Sequence, residues 1–458
     1  MSISIPIKNL SDDERDLIAD LKVRVDDPKS KYNNRPEYLT PYRICSNENV
    51  LLPFAWAQTH FDDRRPDRQS FSKPGHSFTG DCRPYQLEVR NIALRNLNRR
   101  GCAMISCYPG WGKTVLAINL ACKTRLRVLV LVNKIVLMKQ WKTSIEKFTT
   151  DANILIARPA TARQRVPGST SRLKYENKFA NASFVIMNAM NVPKISDDLL
   201  RDIGCVVVDE CHQLVSKVLS RSFQYLRPRY LIGLSATPYR SDGLNAMIDL
   251  YFSKHQIQRL LRKDHLVYHV ETGFEPVVKR NFSGNVDWNS ILEQQCGDRK
   301  RNDLIVDVVR LLDKRKIMIL TKRVAHAELL MGDLARHGEK ITGLFGKTQT
   351  FDRDARILIG TNSKIGVGFD HADLDCLILA SDVEEYFIQY LGRVFRRQDI
   401  VPVIIDFVDD NSILQKHFST RMSVYRKHGG RVIHVRAEDV VKIIQQDDDK
   451  DDDADDAS

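Results

Sequence analysis

The chain reads as α/β: two tandem parallel-sheet units, a small N-terminal accessory domain and a disordered acidic tail. Three features of the 458 residues carry that reading. Short β-branched runs alternate with helical patterns near Ala103, Leu129, Ile154, Val185, Val207 and Ile232, as buried parallel strands with crossover helices do. The alternation returns with a helix at Asp303–Leu312, a strand at Lys316–Leu320, a helix at Val324–Arg336 and strands near Ile357, Leu377 and Val403. The run Asp447–Ser458 holds eight aspartates and one lysine, a composition that builds no core. The expected division is an accessory domain at 1–80, a first unit at 81–255, a linker at 256–299, a second unit at 300–430, an extension at 431–446 and the tail at 447–458.

The octet Cys107-Tyr108-Pro109-Gly110-Trp111-Gly112-Lys113-Thr114 follows an apolar strand, Gly101–Ser106, and precedes a helical pattern from Val115 to Lys123. Strand, glycine loop and helix in that order make a cradle for phosphate. Gly110 and Gly112 let the main chain curl until successive N–H groups point inward; Lys113 sets its ammonium on the outer phosphates, and Thr114 offers a hydroxyl to Mg²⁺. Cys107 stands where the usual pattern has glycine.

Downstream, Gly204-Cys205-Val206-Val207-Val208 runs into Asp209-Glu210-Cys211-His212. A strand of valines ending in adjacent carboxylates suits one acid, Asp209, holding Mg²⁺ through water and the next, Glu210, deprotonating an attacking water. Far along the chain lies Gln389-Tyr390-Leu391-Gly392-Arg393-Val394-Phe395-Arg396-Arg397. On a helix, spacings of four and three put Gln389, Arg393 and Arg396 on one face, where guanidinium groups can meet developing phosphoryl charge.

In this order the motifs resemble the superfamily-two helicases and translocases over residues 81 to 430. Arg83-Pro84-Tyr85-Gln86 is similar to the adenine-reading Q element, and Val132-Asn133-Lys134 with Gln140-Trp141 to the first nucleic-acid motif. Ser235-Ala236-Thr237-Pro238 is similar to the coupling motif; Thr361 with Gly366-Val367-Gly368-Phe369-Asp370 resembles motif five, and Gln389 to Arg396 motif six. The Asp-Glu-Cys-His box, Arg83-Pro84-Tyr85-Gln86 and Gly392-Arg393-Val394-Phe395-Arg396 look closest to the XPB-type DNA translocases, and Arg240-Ser241-Asp242-Gly243 adds to this, with Ser241 in place of a glutamate. The Pro-Gly-Trp-Gly-Lys-Thr loop also resembles the transcript-release helicases of large DNA viruses. Asn133 stands where the family often has proline, and Tyr390 where motif six usually has a further arginine.

The resemblance implies two RecA-like motor domains, ATP and Mg²⁺ as cofactors, and ATP hydrolysis coupled to movement along duplex DNA or to its opening. Arg83, Gln86, Pro109, Gly110, Trp111, Gly112, Lys113, Thr114, Asp370 and Gln389 would bind the nucleotide, with Thr114 and Asp209 on the metal. Lys113, Asp209, Glu210, Arg393 and Arg396 would carry the reaction; His212, Ser235, Ala236 and Thr237 would couple it to Lys134, Arg240, Asp242 and Thr361 on nucleic acid. The expected partners are DNA, duplex or single-stranded, and the transcription machinery, with the chain a monomer. An RNA helicase, or a nucleic-acid scaffold with an idle motor, stays open as an alternative.

Composition agrees. The formal net charge of +12 divides into −7 on the tail and +19 on the rest, a body suited to a polyanion held mainly through its phosphates. No apolar stretch approaches the ~20 residues of a membrane span, and no secretory signal opens the chain. Nine cysteines without a Cys-x-x-Cys pair point to a reducing, intracellular compartment and away from structural zinc; for a viral protein that is the host cytoplasm, virion or nucleus. Between Arg158 and Lys178 lies an insertion rich in Arg, Lys, Ser, Pro and Gly, readable as a solvated loop or as one that tracks phosphates.

Overall fold

The computed structural model describes all residues except 26–36, 46–47, 217–218, 237–243, 283, 366–370, 384–386, 398 and 447–458. Thr237, Arg240, Asp242, Asp370 and the acidic tail therefore lie outside the described residues. Two compact units divide the chain, Met1–Arg259 and Leu260–Ser458.

The first unit is built on a seven-stranded sheet. In chain order its strands are β1 (Cys102–Cys107), β2 (Val128–Val132), β3 (Ile154–Ile156), β4 (Phe184–Asn188), β5 (Cys205–Val208), β6 (Tyr230–Ser235) and β7 (Gln256–Arg259). They lie side by side in the order β3-β4-β2-β5-β6-β1-β7, all parallel. Every residue of β1, β2 and β5 is buried, because helices cover both faces and continuous apolar runs then satisfy both. Helix α1 (Pro84–Arg100) starts on a proline and stops at Gly101 in the left-handed region, φ 73°, the ordinary start and stop chemistry of a helix. Helices α2 (Lys113–Thr124), α3 (Ile135–Phe148) and α4 (Thr170–Asn181) supply crossovers.

Residues 1–80, expected as a separate accessory domain, share the core of this unit. Their strands Ser2–Pro6, Asn49–Pro53 and Arg43–Ile44 form a three-stranded antiparallel sheet. Met1, Ile3, Ile5, Leu52 and Phe54 are buried in one cluster with Phe223, Tyr251 and Phe252. The Ser2 N–H donates to the Leu226 carbonyl at 2.7 Å, and the Tyr251 hydroxyl to the Pro41 carbonyl at 3.0 Å.

The second unit repeats the plan. Its strands are β8 (His265–Glu271), β9 (Ile317–Thr321), β10 (Ile341–Leu344), β11 (Ile357–Thr361), β12 (Cys376–Leu379), β13 (Val403–Val408) and β14 (Gly430–Arg436). They are ordered β10-β11-β9-β12-β13-β8-β14 and all parallel. Residues 256–299, read from the sequence as a linker, are structured: they hold β7, β8 and the helix Trp288–Gly297. The alternation in Leu266-Val267-Tyr268-His269-Val270 is interrupted by polar residues, which hides a central strand. The extension beyond 430 likewise supplies β14, paired with β8 from His265 to Glu271.

A charged network sits inside this second core. Asp406, in the middle of β13 and fully buried, accepts from Arg421 Nε at 2.8 Å, Arg421 Nη2 at 2.9 Å and the Tyr425 hydroxyl at 2.8 Å. Arg421 and Tyr425 lie on α7 (Ser412–Lys427), where α6 is Phe387–Val394. Arg421 Nη1 also donates to Asp382 Oδ1 at 2.7 Å and to the Val383 carbonyl at 2.9 Å. His326, 1% exposed, is held by Asn302 Oδ1 at 2.8 Å and Ser381 Oγ at 3.3 Å.

Two predictions follow from these buried groups. Arg421→Met leaves two carboxylates without their cation inside the core and should lower stability by about 3–5 kcal/mol, read as the drop in urea midpoint of the second unit. Burial pushes the His326 imidazole down to about 3, so the folded protein keeps it neutral while the unfolded chain takes a proton below about pH 6.5. Stability should therefore fall as pH drops from about 6.5 toward about 3, by roughly 2 kcal/mol at pH 5. His326→Gln should flatten that limb of the thermal-midpoint profile; an unchanged limb would refute the assignment.

Candidate active site

One edge of the first sheet collects the predicted residues. Parallel strands in register end together, so the order β4-β2-β5-β6-β1 sets the loops beyond Asn188, Val132, Val208, Ser235 and Cys107 side by side. Neighbouring strands stand ~4.8 Å apart, which separates the glycine loop of β1 from the acids of β5 by roughly 10 Å, with Ser235 between them.

The loop is preformed. Gly110 and Gly112 have φ of 82° and 95°, and a Cβ on Gly112 would come within 2.4 Å of Gln86 Nε2, so glycine is required there twice over. Gln86 Nε2 donates to the Trp111 carbonyl at 3.1 Å and its Oε1 accepts from the Arg83 N–H at 2.9 Å. The residue expected to read adenine thus has both ends of its amide on main chain, clamping the loop to the start of α1. Tyr85 packs its ring against Trp111, 5.6 Å between centroids, and its hydroxyl accepts from Arg83 Nη1 at 2.6 Å. Lys113 Nζ donates to the carbonyls of Cys107 at 2.7 Å and Tyr108 at 3.3 Å, which folds the ammonium over the loop. Lys113 and Thr114 open α2, whose first N–H groups point to the same place. This donor set fits a phosphate chain. Cys107 adds no charge, since burial pushes its thiol up to about 11.

At the end of β5, Asp209 Oδ2 accepts from the Trp141 indole N–H at 2.8 Å and Oδ1 from the Glu210 N–H at 3.1 Å. Burial, and then the charge of Glu210, raise its pKa above the usual carboxylate range against the pull of Trp141 and Lys113. Such a carboxylate gains most from a cation brought to it. Among the described residues no three His, Cys, Asp or Glu side chains cluster to hold a metal; the Thr114 hydroxyl and Asp209 suit an ion that takes its other ligands from phosphate and water. Glu210 is left-handed, φ 46° and ψ 51°, a strained state of order 1 kcal/mol for a residue with a Cβ. The strain turns the chain sharply out of the strand into the short helix α5 (Cys211–Leu214).

His212 and Ser235 are both fully buried, and His212 Nδ1 lies 2.7 Å from Ser235 Oγ and 3.5 Å from Glu210 Oε2. Of the residues expected to couple, His212 thus stands between Ser235 and the acid. Ala236 follows, half-buried. Three further residues join them that the sequence did not single out for these contacts. Trp141 orients Asp209; Gln213 Oε1 accepts from Asn133 Nδ2; and Asn188 Nδ2 donates to the Asn133 carbonyl at 2.9 Å. Gln213 directly follows the Asp-Glu-Cys-His box, the one signal that could have found it. Asn133, where the family often has proline, uses its amide for that link. Lys134, next in the chain, is exposed.

In the second unit, Gln389 is buried and Arg393 half-buried on α6. The helix ends at Val394, so Arg396 lies past it and the expected three-residue helical face is not formed. Phe395, the first residue past the helix, packs against His265, 4.7 Å between centroids. The Tyr390 hydroxyl donates to the Asn362 carbonyl at 3.1 Å, tying α6 to the end of β11. There Thr361 is 4% exposed, its hydroxyl 3.3 Å from Ser363 Oγ. Arg421 holds Asp382 and Val383, close ahead of α6 in the chain.

Comparison with known proteins gives these features a family. A model of the type III restriction enzyme res subunit matches residues 79–240. The protein named "Putative helicase 161L" of Invertebrate iridescent virus 6 is 41% identical over 420 residues, 87% of this chain and 92% of its own length. "Putative helicase 055L" of Frog virus 3 (isolate Goorha) is 32% identical over 396 residues, 84% and 86% of the two. The XPB helicase/translocase subunit of general transcription and DNA repair factor IIH from Danio rerio is 26% identical over 193 residues, 42% of this chain and 23% of that protein. Among solved structures, S. cerevisiae Dbp5 bound to RNA and ADP BeF3 matches with a TM-score of 0.52 at 16% identity, over 78% of this chain and 93% of that one, which places both sheets in the tandem RecA-like fold. Similarity running nearly end to end with the iridescent virus protein, on a fold with these strand-end motifs, makes this chain a member of the superfamily-two helicases, in the group found in large DNA viruses.

Proposed function

We propose that the chain is an ATP-dependent DNA helicase or translocase that couples hydrolysis of MgATP to movement along, or opening of, duplex DNA. The observation that carries this reading is the polar chain across the sheet edge: Ser235 to His212, the neighbouring Gln213 to Asn133, and Asn133 to Asn188. Through the adjacent residues His212 and Gln213 it runs from beside Glu210, 3.5 Å from His212 Nδ1, to the loops beside Lys134, an arrangement suited to linking a hydrolytic site to a bound polymer.

Bound MgATP would supply the phosphoanhydride bond and the charge that orders the attacking water. Lys113, Thr114 and the loop N–H groups would grip the phosphates, Gln86 holds the loop in shape, and Thr114 and Asp209 would hold Mg²⁺. Glu210 takes the proton of the attacking water. Arg393 and Arg396 are assigned the developing phosphoryl charge, with Gln389 on the nucleotide.

DNA is the polymer favoured, supported by the similarity to XPB and by an Asp-Glu-Cys-His box in place of Asp-Glu-Ala-Asp. Transcription of a viral genome, in contact with its machinery, is the process proposed, and nine free thiols suit a reducing compartment.

Lys113→Ala should fold normally and lose DNA-stimulated ATP hydrolysis by about 10²–10³-fold; retained hydrolysis would falsify the site. ATPase rates with duplex DNA, single-stranded DNA and RNA added separately decide the polymer, and stimulation by RNA alone would overturn the choice of DNA. Gln213→Ala, which cuts the polar chain and touches no phosphate contact, should leave the unstimulated rate within about two-fold and cut the maximal stimulation several-fold. Equal stimulation in that variant would show that the link carries no coupling.

A further inference from the structure

We propose that the basic insertion 158–178 is a second grip for single-stranded nucleic acid, extending the sheet edge beyond the loops of β2 and β4; this rests on the nucleic-acid reading above. Strand β3 pairs with β4 at Ile154, Leu155 and Ile156, and the Ala157 N–H donates to the Ile186 carbonyl at 2.9 Å. The insertion therefore leaves the sheet next to Asn188, which is itself bonded to Asn133. A strand lying on Lys134 and crossing β4 arrives at Arg158.

The insertion is built rather than loose. The Tyr175 hydroxyl donates to the Arg158 carbonyl at 3.0 Å, Ser169 Oγ to the Arg163 carbonyl at 3.1 Å, Arg165 Nε to the Ala160 carbonyl at 3.0 Å, and Thr161 Oγ1 to Gln164 Oε1 at 2.9 Å. Ser169 Oγ also caps α4, accepting from the Arg172 N–H at 3.1 Å. Most of these bonds hold main chain, and Arg158, Arg163, Lys174 and Lys178 are exposed, as is Arg165, whose Nε is the one cationic group engaged in them. The segment's one acid, Glu176, is paired with Arg172 at 2.7 Å. A solvated surface helix ordinarily mixes its signs; this one presents a single sign, as phosphate contacts require.

Apolar side chains stand exposed along the same edge: Val166 at 52% and Leu173 at 53% on the insertion with its cations, and Ile135 at 68% and Met190 at 57% just past β2 and β4, Ile135 next to Lys134. A duplex hides the faces of its bases, whereas a single strand offers them to apolar surfaces. Cations for the backbone interleaved with apolar surface for the bases select the single strand.

The test is the triple variant Arg158→Gln, Arg163→Gln, Lys174→Gln, which removes side-chain charge and keeps the carbonyls that Tyr175 and Ser169 hold. Binding of a fluorescent single-stranded oligonucleotide by anisotropy across a salt series is the readout, with ATPase as a second. The expected result is weaker binding, a salt slope reduced by about 2 in log–log units, an unchanged rate without nucleic acid and an unchanged KM for ATP. An equal slope and affinity overturns the second grip while wild-type binding keeps the functional reading. Wild-type protein that binds no oligonucleotide overturns both. Equal losses on blunt duplex would replace the single-strand assignment with a general phosphate grip.

Discussion

Two carboxylates side by side at the end of one buried strand are the constraint around which the first unit is arranged. Adjacent negative charges repel, and withdrawing them from water raises the energy of the ionised form, as the upward shift of Asp209 records. The fold answers with donors aimed at Asp209, the Trp141 indole and the Glu210 N–H, and with the Lys113 ammonium nearby. Two adjacent carboxylates at one strand end suit a divalent cation, and the glycine loop two strands away supplies the place where that cation's phosphate ligands would lie.

Geometry turns the same strain outward. Glu210 occupies a left-handed conformation, and the abrupt turn it makes delivers His212 onto Ser235 and Gln213 onto Asn133 within a few residues. Residues at the ends of β6, β5, β2 and β4 are thereby linked in pairs along the edge, Ser235 with His212, Gln213 with Asn133 and Asn188 with the Asn133 carbonyl. In a parallel sheet the strands are spaced by main-chain hydrogen bonds, so the side chains at their ends, which can rotate, are the adjustable part of this edge. The second unit uses a different device. Asp406 in its central strand fixes Arg421, and Arg421 fixes Asp382 and Val383 ahead of the helix that carries Gln389 and Arg393.

What the sequence made legible was periodicity and motif order. Continuous apolar runs such as Val128–Val132 and Val206–Val208 announce buried parallel strands, and the glycine octet and the acid pair announce the loops that follow them. Less legible was anything encoded by contacts between distant residues. Strand β8 is broken by His265 and His269, and reads as a linker until His269 is seen stacked on Phe418 with centroids 3.7 Å apart. The N-terminal segment reads as independent because its partners, Phe223, Tyr251 and Phe252, lie more than 150 residues later. Arg396 was placed on a helical face by spacing alone, which carries no information about where Phe395 would find its pocket.

Asn133 shows why a family pattern is an incomplete guide to a site. A proline there would offer no side-chain amide, and its ring would constrain the residue before it. This chain instead has an amide that reaches Gln213 while its own carbonyl accepts from Asn188. One residue therefore carries a link toward the nucleotide acids and a link toward the neighbouring loop, in positions where a proline could make only the second. The departure from the pattern at Asn133 adds a hydrogen-bonded connection where the pattern has a rigid turn. That connection rests on a pair of amides, and on the register of β5, β2 and β4 that brings them within reach.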